Sequence, residues 1–82
     1  MKIRKANITF DDVNIENVYI YENKKEEYTL VAIPQIQWST IFDYNMSYEE
    51  LYSELFQSIE LRTSKKIAEQ LAKKITYWSR EM

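Results

Sequence analysis

The sequence predicts an α+β domain: an antiparallel sheet of three or four strands followed by two amphipathic helices packed on one of its faces. Two observations carry that reading. Up to residue 44 the apolar residues recur every second position, and from residue 47 they recur every third or fourth. The helical half also opens on a capping signature, so the change of period coincides with a start signal.

The first strand is expected over 2–10, where Ala6, Ile8 and Phe10 alternate with Lys5, Asn7 and Thr9. Asp11-Asp12 is a turn candidate. A second strand over 17–23 contains Val18-Tyr19-Ile20-Tyr21, β-branched and aromatic residues that suit a pleated, half-buried surface. The polar stretch Asn23-Lys24-Lys25-Glu26 joins it to a third strand over 27–33. With no glycine in the chain, this hairpin needs a longer turn than the tight primed types, or Asn23 in the left-handed region.

Pro34 ends or bends the third strand because it has no amide to give a ladder. A fourth strand over 36–43 follows, with Ile36, Trp38, Phe42 and Tyr44 as its apolar positions and a bulge expected near Thr40. Ser47-Tyr48-Glu49-Glu50 then reads as a capping box, opening a helix over 48–61 with Tyr48, Leu51, Tyr52, Leu55, Phe56 and Ile59 on its apolar stripe. Thr63 or Ser64 caps a second helix over 64–80, striped by Ile67, Leu71, Ile75 and Trp78 and flanked by Ala68 and Ala72. No repeat, low-complexity stretch or second domain interrupts residues 1–82, which read as one domain.

Composition removes most chemistries. The 82 residues include no Cys, His or Gly and one Pro, with a formal net charge of −2. No thiol or imidazole is available for nucleophilic catalysis or soft metal ligation, and no glycine loop can cradle a phosphate. No metal and no cofactor is expected. Carboxylates remain, but Asp11-Asp12 and Glu49-Glu50 are sequence neighbours, and neighbours on a helix point about 100° apart. A carboxylate enzyme would need distant acids such as Asp43 and Glu54 to converge, so the chain is read as non-enzymatic. The longest uncharged run, from Tyr28 to Phe42, is too short and too polar to span a bilayer, and the basic start leads into no apolar signal segment. A cytoplasmic location without membrane contact is expected.

Two surfaces are candidates for binding. Tyr19 and Tyr21 share one strand face while Val18 and Ile20 share the other. If helices cover one face, rings stand on the opposite one; Tyr19, Tyr21 and Trp38 are therefore the candidate interaction surface, for a second copy of the chain or another protein. The alternative is nucleic acid. Residues 35–60 carry five acids and no base, whereas 61–82 carry six bases, and Lys66, Lys73 and Arg80 recur at seven-residue spacing with Tyr77 beside them to stack. The overall acidity of the chain and the small number of cations weigh against it. An attraction between an acidic and a basic helix explains the same segregation.

Read together, Met1-Lys2-Ile3-Arg4-Lys5-Ala6, Val18-Tyr19-Ile20-Tyr21-Glu22-Asn23-Lys24-Lys25-Glu26-Glu27-Tyr28, Ala32-Ile33-Pro34, Phe42-Asp43-Tyr44 and Trp78-Ser79-Arg80-Glu81-Met82 resemble the YueH-like family, short proteins of low-GC Gram-positive bacteria. The resemblance covers nearly the whole chain and implies no activity, cofactor or site residue. A looser similarity is to HicB-type antitoxin domains, through Leu30-Val31-Ala32-Ile33-Pro34 and Ser47-Tyr48-Glu49-Glu50, although the glycines and cysteine expected after that proline are missing. That likeness covers about half the chain; as an analogy of fold, it implies a protein that binds another protein.

Overall fold

Apolar alternation along residues 1–45 produces a four-stranded antiparallel meander in the computed structural model, which describes residues 1–80. The strands are β1 (Lys2–Phe10), β2 (Val13–Asn23), β3 (Tyr28–Ile33) and β4 (Trp38–Asp43), and each pairs with the next in sequence. Two helices follow, α1 (Tyr48–Glu60) and α2 (Lys65–Arg80). The chain divides into two compact units, the sheet up to Asn45 and the helices from Met46 onward.

β2 begins at Val13, four residues earlier than its alternation suggests. The reason is a change of phase. Ile15 is buried on an odd position, whereas Val18 and Ile20 are buried on even ones. The break lies opposite an irregularity in β1, where Lys5 pairs with Asn17 but Ile8 pairs with Ile15, leaving β1 one residue longer across the gap. Asn7, in that gap, has φ 53°, a left-handed conformation that Asn tolerates better than most residues.

The β1–β2 connection is a two-residue turn in which Asp11 (φ 49°) and Asp12 (φ 67°) are both left-handed, as a type I′ hairpin requires. In the β2–β3 hairpin it is Glu27 (φ 58°), not Asn23, that takes the left-handed position. Asn23 contributes its side chain instead, the Oδ1 accepting from the Glu26 amide at 3.0 Å.

Pro34 starts a short 3₁₀ turn (Pro34–Ile36), closed by Gln37 at φ 51° with its amide on the Pro34 carbonyl at 3.0 Å. β4 therefore starts at Trp38 rather than at 36. Its pairing with β3 runs unbroken from Ile33–Trp38 to Tyr28–Asp43, so no bulge occurs near Thr40. The irregularity that the sequence hints at lies in the turn before the strand.

In the helical unit, Ser47 Oγ accepts from the Glu50 amide at 3.2 Å while Glu50 Oε1 accepts from the Ser47 amide at 3.1 Å, completing the capping box. The Ser47 amide bonded to that carboxylate, and after it the Ser47 side chain, hold the Glu50 carboxyl below the usual carboxylate range. Leu51, Leu55 and Ile59 are buried, whereas Tyr48 is exposed. At the other end, the Ile59 carbonyl accepts from the Arg62 and Thr63 amides and from Thr63 Oγ1. Ser64 Oγ caps α2 by accepting from the Ile67 amide at 3.3 Å.

The helices pack on each other, and α2 buries Ile67, Ala68, Leu71, Ala72 and Ile75. Thr76, not Trp78, completes that buried stripe, and its hydroxyl is satisfied by the Ala72 carbonyl at 2.6 Å. Arg80 donates to the Met46 carbonyl at 2.8 Å, tying the end of α2 to the approach to α1.

Three outcomes follow from these local structures. Asp12→Gly removes a left-handed non-glycine residue and should raise stability by about 0.5–1 kcal/mol, read as a higher urea midpoint. Ser47→Ala should cost about 1 kcal/mol through the lost cap. Because the folded Glu50 pKa is lowered, its contribution is present above the unfolded value and declines as pH falls through the folded one. Urea titrations below pH ~5 should therefore show a shallower acid decline for Glu50→Gln than for the unaltered protein.

Candidate functional site

A four-stranded sheet has two sides, and here they differ sharply. Ala6, Ile8, Ile15, Val18, Ile20, Val31, Ile33 and Trp38 are buried, together with Thr29. The alternate positions form rows across the other side. One row is Ile3–Tyr19–Ala32–Ser39 and the next is Tyr21–Leu30–Ile41. On this open side Ile3 is 55% exposed, Tyr21 37% and Ile41 63%, while Tyr19, Leu30 and Ala32 are half-buried.

Tyr28, on the adjacent row, meets the Tyr21 ring edge-on at 6.3 Å between centroids and 62° between planes. The charged residues Lys5 and Asp43 stand at opposite ends of the patch, on β1 and β4. Lys5 Nζ is 2.8 Å from Glu16, which holds that carboxyl below its ordinary range.

This geometry unites Tyr19 and Tyr21 on the open side and corrects the placement of Trp38. Trp38 pairs with Ile33, which is fully buried, and is itself only 6% exposed. Its phase explains why: Trp38, Thr40 and Phe42 share the inner side, and Ser39, Ile41 and Asp43 the outer one. Ile41, which broke the expected alternation, is the apolar side chain that β4 presents outward. Ile3, Leu30 and Ile41 thus belong to the patch and were not singled out from sequence, because their side depends on register.

Tyr44 lies just beyond β4, its amide on the Glu27 carbonyl at 3.2 Å. Its hydroxyl is pushed up from the ordinary tyrosine value by desolvation first, then by the charge and hydrogen bond of Glu22 and by Glu27.

The basic candidates lie along one exposed side of α2. Lys66, Lys73, Tyr77 and Arg80 are all exposed, but two of the three cations are engaged. Lys73 pairs with Glu69 at 3.6 Å, and Arg80 holds the Met46 carbonyl. That leaves a thin footprint for a phosphate backbone. The acidic pairs have local roles as well: Asp11 and Asp12 make a turn, and Glu50 makes a cap. Among the described residues, no group of three or more His, Cys, Asp or Glu side chains is placed to hold a metal ion. No helix of those residues is long and apolar enough to cross a membrane.

A strand meander that keeps one side apolar and open, followed by a capped helical hairpin, defines a small protein of the α+β class. By comparison with protein families, residues 2–81 match the YueH-like proteins, and the chain belongs to that family. It is similar to the protein described as "Uncharacterized protein YueH" of Bacillus subtilis (strain 168), with 48% identity over 82 residues that cover 100% of both chains. No solved structure matches.

The two sides of the sheet should respond differently to truncation. Trp38→Ala is expected to cost about 3–5 kcal/mol, as for a buried aromatic, whereas Tyr21→Ser should cost about 1 kcal/mol. Urea unfolding of the two variants measures the difference.

Proposed function

We propose that the protein is a non-enzymatic interaction module of the cytoplasm that binds protein, a second copy or another chain, through the open sheet side carrying Tyr19 and Tyr21. One observation carries this reading: two uncharged rows, Ile3–Tyr19–Ala32 and Tyr21–Leu30–Ile41, run side by side across the strands with large apolar side chains in solvent. Contiguous apolar patches of this kind mark contact surfaces, and tyrosine supplies large contact area with few rotatable bonds. The absence of His and Cys, and the local roles of the acidic pairs, support a function in binding rather than catalysis. Nucleic-acid binding through Lys66, Lys73, Tyr77 and Arg80 is the weaker reading, since Lys73 and Arg80 already have partners.

Replacing both rings, Tyr19→Ser with Tyr21→Ser, should remove protein capture by this side while circular dichroism shows the fold retained. Tagged unaltered protein and tagged double variant, compared in pull-downs from cell lysate, provide the readout. Equal recovery of the same proteins by both would overturn the reading.

A further inference from the structure

The two edges of the sheet are built differently. β1 carries Lys2, Arg4 and Lys5 and an irregularity at left-handed Asn7, devices that keep an edge strand from pairing with another chain. β4, Trp-Ser-Thr-Ile-Phe-Asp over residues 38–43, has no Lys, Arg, Pro or bulge, and among the described residues its only strand partner is β3.

The backbone direction of β4 is also known. The Tyr44 amide donates to the Glu27 carbonyl at 3.2 Å. By two-residue alternation, Phe42, Thr40 and Trp38 turn their N–H and C=O toward β3. Ser39, Ile41 and Asp43 turn theirs outward.

We propose that β4 pairs antiparallel with β4 of a second copy, about a two-fold axis at Ile41, to form a continuous eight-stranded sheet. A two-fold register must match outward groups with outward groups. Centred on Ile41, it joins Ile41 to Ile41 and Ser39 to Asp43 in both directions, engaging all three outward residues in about six backbone hydrogen bonds. Centring on Thr40 joins only Ser39 and Ile41, and centring on Phe42 joins only Ile41 and Asp43. A half-step register would set the open side of one copy against the buried side of the other.

The side chains agree with the Ile41-centred register. The 63%-exposed Ile41 meets its counterpart, and each Asp43 carboxylate faces a Ser39 hydroxyl rather than another acid. The open sides of both copies then merge into one surface.

This inference rests on the β4 backbone edge and is independent of whether the Tyr19 and Tyr21 side binds another protein. Sedimentation equilibrium should show a dimer. Ile41→Pro deletes an outward amide without removing a bond to β3, and should weaken the dimer by about tenfold or more with the fold retained by circular dichroism. The chain has no cysteine, so a single introduced one reports position. Ile41→Cys should be joined to its counterpart by a short thiol-to-thiol cross-linker, because facing residues of a hydrogen-bonded pair lie about 5.5 Å apart. Tyr21→Cys, more than about 20 Å from its copy across the joined strands, should not.

A monomeric unaltered protein, or a folded Ile41→Pro variant that stays fully dimeric, would overturn the proposal. So would failure of Ile41→Cys to cross-link. A dimer lost on Tyr19→Ser with Tyr21→Ser but kept in Ile41→Pro would place self-association on the open side instead.

Discussion

A strand can hide only every second side chain, and this small sheet is organised by which set it hides. Val18, Ile20, Val31, Ile33 and Trp38 fall on one side because antiparallel pairing aligns their phases across β2, β3 and β4. Once that set is buried, Tyr19, Tyr21, Leu30 and Ile41 have no choice but the other side. The open patch is thus a consequence of the same alternation that builds the core, and a one-residue slip anywhere in β3 or β4 would exchange the two.

Keeping phase without glycine requires compromises in the backbone. Asn7, Asp11, Asp12, Glu27 and Gln37 all take positive φ, each at a turn or an irregularity of the sheet. Asn and Asp hold three of those places, as expected from the local hydrogen bonds their short side chains make, whereas Glu27 and Gln37 are less usual there. These positions set the strand registers. The residue gained by β1 around Asn7 lets Ile8 face Ile15 while Arg4 faces Val18, so β1 stays in phase although β2 changes parity.

Charge acts locally in the helical unit. Glu50 closes a capping box, Lys73 pairs within its own helix with Glu69, and Arg80 holds a backbone carbonyl. The contrast between an acidic α1 and a basic α2, so visible along the chain, resolves into short-range contacts at helix ends and exposed pairs of small individual energy. Leu51, Leu55 and Ile59 of α1 and Leu71 and Ile75 of α2 are buried, and burial of such side chains outweighs those exposed pairs.

The sequence by itself determined the order of elements, the switch from strands to helices at Ser47, the boundaries of β1 and the separation of Tyr19 and Tyr21 from Val18 and Ile20. Each of these is a local pattern, a period or a cap, legible within about ten residues. Family membership was legible too, because it is spread over short strings along the whole chain. The early start of β2, the 3₁₀ turn after Pro34 and the inward place of Trp38 were decided only by tertiary structure. They depend on which residue faces which across neighbouring strands, and a shift of one position, invisible in composition, moves a side chain from solvent to core.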